Sequence, residues 1–145
     1  MRICVDASVA VKWLVTEPGS PEALSLLEAP EGGVEVWAPD LLWVECVSAL
    51  RRRVVDGYLT EAGAKSALDA ALLRDLRLVS CRETRTETLA VALKTGLIAW
   101  DACYVATAWV LDAELWTADR EMQSRGRRAY PKINLLTWDS AEEEA

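Results

Sequence analysis

Four acidic side chains stand at positions from which carboxylates could act together, namely Asp6, Glu45, Asp101 and Asp119. Asp6 directly follows the apolar run of residues 3–5, and Asp119 follows the short run of residues 115–117. Because ligands of a parallel sheet bind at the carboxyl ends of its strands, we expect these two acids at one edge. Glu45 and Asp101 belong to apolar helical patterns that could flank the same edge.

Carboxylates that converge in this way repel one another and raise one another's pKa unless a cation holds them. The chain contains no histidine. That absence excludes Ser-His-Asp and Cys-His triads, the H-E-x-x-H zinc site and the histidine acid–base pair of metal-free ribonucleases. Carboxylate oxygens favour a hard ion. The four acids therefore predict a site for Mg²⁺ or Mn²⁺.

Each acid also has an ordinary structural explanation when it is taken alone. Aspartate is a common helix N-cap, which would account for Asp6, Asp101 and Asp119. Glu45 shares a helix face with Ser48 and Arg52, as a solvent-exposed residue of an amphipathic helix would. The joint arrangement of the four acids, rather than any one of them, points to a functional site.

The composition fits a globular protein with an apolar core. The chain has 145 residues, of which 52% are hydrophobic, enough for one domain. No apolar run approaches the roughly 18 residues that a membrane helix needs. Asp6 comes too early for the apolar core of a signal peptide. We therefore predict a cytoplasmic protein that has no membrane segment.

The cysteines and the charge exclude two further classes of protein. The four cysteines form no C-x-x-C pair, so we expect buried free thiols rather than a zinc site. The net charge of −7 argues against a purely electrostatic nucleic-acid binder. Basic residues are nevertheless clustered along the chain, around positions 51–53, 74–85 and 120–128.

Short apolar runs alternate with helical patterns along the whole chain, which predicts an α/β sandwich with a parallel sheet. The predicted strands cover residues 3–5, 34–37, 76–80, 115–117 and 133–136. The predicted helices cover residues 7–15, 21–29, 40–55, 60–73, 82–94, 101–112 and 119–125. No repeat or linker interrupts the pattern, so we predict a single domain over residues 1–140 and an acidic tail over 141–145.

Four strings resemble, in order and spacing, the PIN-domain ribonucleases of the VapC toxin type: VDASVAVKWLVTEP, APDLLWVECVSALRR, WDACYVATAWVLDAELWTADREM and INLLTW. The resemblance covers nearly the whole chain and implies a PIN-like three-layer sandwich with a central parallel β-sheet flanked by helices. It also implies that Asp6, Glu45, Asp101 and Asp119 are the catalytic metal ligands. Ser8 and Thr117 would orient the carboxylates or metal-bound water.

One position departs from the family pattern. Relatives often carry Asn three residues after the helix glutamate, where this chain has Ser48. This difference concerns a supporting hydrogen bond and leaves the four acids in place.

The resemblance further implies Mg²⁺- or Mn²⁺-dependent hydrolysis of RNA, which would leave 5′-phosphate and 3′-hydroxyl ends. Lys12, Arg51, Arg52 and Arg120 are candidates for holding the RNA backbone. The implied partners are a cognate antitoxin, whose tail lies over the active site, and a second copy of the chain in a homodimer.

The sequence allows two alternative functions. The first is a catalytically idle PIN-like module that only binds protein or RNA; the four intact acids count against it. The second is a phosphatase with an aspartyl nucleophile, which would need a second aspartate where the chain has Ser8.

Overall fold

The structure, a computed structural model, describes residues 1–28 and 31–139. Within these residues, five strands form a single parallel sheet. The strands are β1 (Arg2–Val5), β2 (Glu35–Pro39), β3 (Arg77–Val79), β4 (Glu114–Thr117) and β5 (Ile133–Leu135). Their order across the sheet is β3-β2-β1-β4-β5, so β1 lies at the centre.

Helices connect the strands and cover the sheet. They are α1 (Ala7–Leu14), α2 (Ser20–Ser25), α3 (Leu42–Val55), α4 (Glu61–Leu68), α5 (Ala71–Arg74), α6 (Arg85–Thr95), α7 (Ala99–Leu111) and α8 (Arg120–Gly126). Helix α1 packs against α2 and α3, while α7 packs against α6 and contacts β1, β2 and β4. The predicted three-layer α/β sandwich with a central parallel sheet is confirmed.

The central strand explains why the sequence begins with an unbroken apolar run. Ile3, Cys4 and Val5 are each at most 1% exposed, because a strand covered by helices on both sides has no solvated face. Val5 pairs with Trp116 of β4. That register sets the first residue after β1 level with the end of β4.

The prediction of one continuous helix over residues 60–73 is wrong, because the structure has two helices there, α4 and α5. The Asp69 and Ala70 amides bond back three residues, to Ser66 and Ala67, which tightens and ends α4. The Arg74 guanidinium donates to the Asp69 carbonyl at 3.2 Å. No Gly or Pro marks this break in the sequence.

Other predicted bounds shift by about one turn or less. Helix α2 begins after the N-cap Gly19 rather than Ser20 and ends at Ser25, while the predicted end at position 29 lies outside the described residues. The Ser20 hydroxyl instead bonds to the Glu17 amide and the Val15 carbonyl. Helix α7 begins two residues before Asp101, and α3 begins two residues after Asp40.

The predicted acidic tail, residues 141–145, lies outside the described residues, and the boundary of a single domain at position 140 stays a prediction. In residues 1–28 and 31–139, no single helix is long and apolar enough to cross a membrane. Helices α6 and α7 would meet that test only as a pair bent by 115°.

Gly126, the last residue of α8, tests the packing between α8 and the sheet. A Cβ at this position would lie 2.6 Å from the Ile133 Cδ1 and 3.2 Å from the Val105 Cγ2, and both neighbours are completely buried. We expect Gly126→Ala to lower the free energy of unfolding by about 1–3 kcal/mol, although alanine favours a helix. Urea denaturation measures this change. An unchanged or raised stability would show that Ile133 and Val105 can move to make room for the added methyl group at little cost.

Candidate active site

Asp6 is the most deeply buried of the four acids, with 3% of its surface exposed. It is the N-cap of α1, and its Oδ1 accepts the Val9 amide at 3.3 Å. The Ser8 hydroxyl donates to Oδ1 at 2.6 Å, and the Thr117 hydroxyl donates to Oδ2 at 2.7 Å. The capping explanation is therefore correct. It leaves about one acceptor site, on Oδ2, for another ligand, because an ionised carboxylate can accept about four hydrogen bonds and Asp6 accepts three.

Ser8 and Thr117 extend this network to the end of β4. The Ala118 amide donates to the Ser8 hydroxyl at 2.8 Å. The Asp119 amide donates to the Thr117 hydroxyl at 3.0 Å. The two hydroxyl groups thus connect the β1–α1 junction to the β4–α8 junction, and both of them hold Asp6.

Asp119 and Asp101 occupy the first turns of two other helices. Asp119 is the N-cap of α8, where its Oδ1 accepts the amides of Glu121 at 2.8 Å and Met122 at 3.2 Å. The N-cap of α7 is Ile98, so the capping explanation for Asp101 is wrong. Asp101 instead lies half-buried inside the first turn.

Glu45 lies in the first turn of α3 and is half-buried. The explanation of Glu45 as a solvent-exposed residue is therefore wrong, although Ser48 and Arg52 are exposed. Its Oε1 is buried and makes no hydrogen bond within the described part of the chain. Such an atom is expensive to leave without a partner.

Tyr104 is a residue of this site that the sequence analysis missed. Its buried hydroxyl also lacks a hydrogen bond among the described residues. Burial raises the pKa of Tyr104, and Glu45 raises it further by its charge and because the hydroxyl lies close to its carboxylate, outside ordinary hydrogen-bond geometry. The only signal in the sequence is the string DACY, in which Tyr104 follows Asp101 by one helical turn.

Electrostatic coupling shows that the four acids share one region. Burial raises the pKa of Asp6 to about 6, against the hydrogen bonds from Ser8, Thr117 and Val9, and Asp119 raises it further. The pKa of Asp101 is also raised to about 6, first by burial and then by Asp119, Glu45 and Asp6. A helix N-terminus normally stabilises a carboxylate, so burial and the neighbouring acids outweigh the helix at Asp101.

The four acidic side chains are nevertheless not close enough together to form a preformed metal site. In residues 1–28 and 31–139, no group of three or more His, Cys, Asp or Glu side chains is placed to hold a metal ion. The donors on offer are carboxylate and hydroxyl oxygens, which suit Mg²⁺ or Mn²⁺. The unpartnered Oε1 of Glu45 is consistent with a cation that would complete its coordination.

A cavity of about 560 Å³ opens beside these residues. Its walls include Ser8, Glu45, Ser48, Arg51 and Arg52. Arg51 and Arg52 are exposed, and nothing in the described structure pairs with their guanidinium groups. These two arginines can therefore reach a ligand that enters the cavity.

Lys12 lines the same cavity, but its ammonium group is engaged within the protein. Only 9% of the residue is exposed, and Nζ donates to the Pro18 carbonyl at 2.7 Å. Nζ also pairs with Glu17 at 3.2 Å and lies 4.3 Å from the centre of the Trp138 ring. The structure thus favours Arg51 and Arg52 over Lys12 as groups that bind a substrate.

Comparison with known proteins places this geometry in a family. The family model of the PIN domain matches residues 3–127. The chain therefore belongs to the PIN domain family.

Individual proteins that resemble this chain share at most 29% of its sequence. The chain is similar to Ribonuclease VapC3 of Pyrobaculum aerophilum, with 29% identity over 127 residues that cover 86% of this chain and 95% of the relative. Among solved structures it resembles Mycobacterium tuberculosis VapC20, described as a Sarcin-Ricin loop cleaving toxin, with a TM-score of 0.66, 15% identity and coverage of 86% and 95%. It also resembles VapBC2 of Rickettsia felis, with a TM-score of 0.64, 17% identity and coverage of 96% and 100%.

The raised pKa of Asp6 predicts how the stability of the metal-free protein depends on pH. The folded pKa of about 6 lies above the ordinary value of 3.8, so the fold favours the protonated carboxyl. The stability that this preference contributes is present below pH 4 and is lost as the pH rises through 6. We expect the free energy of unfolding of Asp6→Asn, relative to that of the unaltered chain, to rise by about 1–3 kcal/mol as the pH increases from 4 to 7.

Urea denaturation of both proteins at several pH values measures this difference. Asp112→Asn is a matched control, because Asp112 is an exposed acid that pairs with Lys132. A difference between Asp6→Asn and the unaltered chain that stays constant from pH 4 to pH 7 would contradict the burial of an ionised Asp6.

Proposed function

We propose that this protein is a metal-dependent endoribonuclease and the toxin of a toxin–antitoxin pair. The observation that carries the proposal is the coupling of Asp6, Asp101, Asp119 and Glu45 at the carboxyl edge of the sheet. Carboxylates crowded together at a cost in free energy are typical of functional sites. Membership of the PIN family and the likeness to Ribonuclease VapC3 support the same reaction class.

The four acids would hold one or two Mg²⁺ or Mn²⁺ ions, which supply Lewis-acid activation of water and neutralise charge at the phosphate. Ser8 and Thr117 donate hydrogen bonds to Asp6 and fix the direction of its remaining acceptor site on Oδ2. Glu45 Oε1 is buried and makes no hydrogen bond of ordinary geometry among the described residues, although the Tyr104 hydroxyl approaches the same carboxylate; a cation or a water molecule bound here would supply the missing partner.

RNA cleavage by the purified protein tests the proposal. With Mn²⁺ or Mg²⁺ we expect cuts in a mixed RNA pool that leave 5′-phosphate ends and that EDTA abolishes. Asp6→Asn and Glu45→Gln should each lower the rate by at least about 100-fold, because loss of a ligand costs no less than loss of the groups that support it. Asp112→Asn removes the carboxylate of the residue that caps the carboxyl end of α7, and this variant should cut at the normal rate.

Calorimetry separates an inactive nuclease from one that has a narrow RNA target. A nuclease with a narrow target still binds Mn²⁺, and Asp6→Asn weakens that binding. Failure to bind Mn²⁺ at millimolar concentration would overturn the metal-dependent function.

We propose that Arg51 and Arg52 hold the phosphate backbone of the RNA beside Glu45. The double variant Arg51→Ala/Arg52→Ala should raise KM about 10-fold or more and leave kcat within a factor of about two, since phosphate contacts act mainly on affinity. The dependence of log KM on log salt should fall by up to about 1.4, at about 0.7 for each lost phosphate contact.

Arg2→Ala is the matched control for this pair. Arg2 lies at the amino end of β1, the opposite edge of the sheet, and pairs with Glu35. A KM that rises equally in the control and the double variant would show a general effect of charge. A fall in kcat alone would show that the two arginines act on chemistry rather than on binding.

A cognate antitoxin is the partner that we propose. The similar structures include the Klebsiella pneumoniae toxin–antitoxin complex and the VapBC2 complex. A second cavity of about 940 Å³ lies between the ends of α1, α3 and α4, and it shares Glu17, Arg52 and Arg53 with the smaller cavity. A tail that filled the larger cavity and continued into the smaller one would therefore reach Glu45.

We also propose a homodimer and a cytoplasmic location. The support for the dimer is an exposed apolar stretch on α6 and the start of α7. Leu89 is 61% exposed, Leu93 79%, Ile98 51% and Trp100 52%. Leu89 and Leu93 are one turn apart on the same face of α6, so a partner could cover both.

One observation favours a second function, a PIN module that binds without cleaving. The described residues contain no ready-made cage of three acids. The calorimetry above decides between the two functions, because a module that only binds has no need of the cation.

A further inference from the structure

Two cysteine thiols lie close together at the start of α7. Cys81, between β3 and α6, and Cys103, within α7, have their sulfur atoms 3.5 Å apart, and both are free thiols. A disulfide bond measures about 2.05 Å, so the two sulfurs need to approach by only about 1.5 Å. We propose that Cys81 and Cys103 form a reversible disulfide with a low-molecular-weight disulfide as the oxidant. This inference does not rest on the proposed function.

The exposure of the two sulfurs sets the order of events. Cys81 is only half-buried, which corrects the prediction of four buried thiols, whereas Cys103 is 4% exposed. A small disulfide RSSR therefore reaches Cys81 first. The Cys81 thiolate attacks one sulfur of RSSR, and the first RSH leaves with the proton that Cys81 gave up. Cys103 then attacks the Cys81 sulfur, which forms the protein disulfide and releases the second RSH.

The surroundings hold Cys81 in place and slow its exchange. The Cys81 amide donates to the Asp40 Oδ1 at 3.1 Å, which anchors this loop to the segment between β2 and α3. Burial, and then Asp40, raise the pKa of the Cys81 thiol to about 12. Little thiolate is present near pH 7, so exchange takes place slowly and a brief exposure to oxidant leaves the pair reduced.

The remaining cysteines serve as internal controls. Cys4 and Cys46 are completely buried, and burial raises the pKa of Cys46 to about 12. A small disulfide has no path to either sulfur in the folded protein. Oxidation should therefore consume two thiols of the four in the chain.

The bridge would link positions 22 residues apart. The closed segment contains α6 and the start of α7, including Asp101 two residues before Cys103. A disulfide of this span restricts the unfolded chain. We expect the oxidised protein to melt roughly 5–10 °C higher than the reduced protein.

The test is to incubate the full chain with oxidised glutathione at pH 8 and to follow its mass and its melting temperature. The expected result is the loss of two hydrogen atoms, a proteolytic fragment that links Cys81 to Cys103, a raised melting temperature and full reversal by dithiothreitol. The same treatment of the chain unfolded in urea shows that the oxidant is active.

Two variants separate the steps. Cys81→Ser should keep its mass and its melting temperature in the oxidant. Cys103→Ser should retain a glutathione adduct on Cys81, because no second thiol can displace it. The proposal is overturned if the unaltered chain keeps four free thiols, holds a lasting adduct on Cys81, or links either cysteine to Cys4 or Cys46.

Discussion

The buried carboxylate of Asp6 is the interaction on which the rest of the site depends. It ends the central strand, starts α1 by accepting the Val9 amide, and receives the hydroxyl of Thr117 from the adjacent strand. An ionised group in this position is costly unless donors surround it. The same donors connect β1 to β4, so the carboxylate that we propose as a metal ligand also links the ends of these two strands.

Burial first, and the neighbouring acids second, raise the pKa values of Asp6 and Asp101 at the carboxyl edge of the sheet. The first turns of α1, α7 and α8 all point their positive ends at it, yet Asp6 and Asp101 both retain raised pKa values. The RNA that we propose as the substrate is itself a polyanion, so cations or basic side chains would have to offset its repulsion by these acids. Arg51 and Arg52, which have no ion pair within residues 1–28 and 31–139, line the cavity beside Glu45, whereas Lys12 and Arg53 pair with Glu17.

The features predicted most accurately from the sequence are those that depend on residues close together in the chain. The apolar run before Asp6 and the capping roles of Asp6 and Asp119 follow from neighbours in the chain, and the structure agrees. The half-buried state of Glu45 could not be predicted, because helical spacing tells which residues share a face but not which part of the fold covers it. Tyr104 was missed for the same reason.

Two further features depend on tertiary contacts that helical or strand spacing does not reveal. The burial of Lys12 depends on Glu17, Pro18 and Trp138, which are brought together by the turn before α2 and by the end of the described chain. The approach of Cys81 to Cys103 depends on how α7 packs over the loop that follows β3. No periodicity or spacing in the sequence encodes either contact.

The tryptophans give the site its own optical reporters. The chain has seven tryptophans, and Trp100 directly precedes Asp101, with 52% of its surface exposed. Trp116 precedes Thr117, and its carbonyl accepts the Asp6 amide at 3.3 Å. Indole emission responds to nearby charge, so intrinsic fluorescence can follow the loss of a proton or the arrival of an ion at the carboxylates without a dye. Trp100 and Trp116 therefore serve both as structural neighbours of Asp101 and Asp6 and as fluorescent probes of these carboxylates.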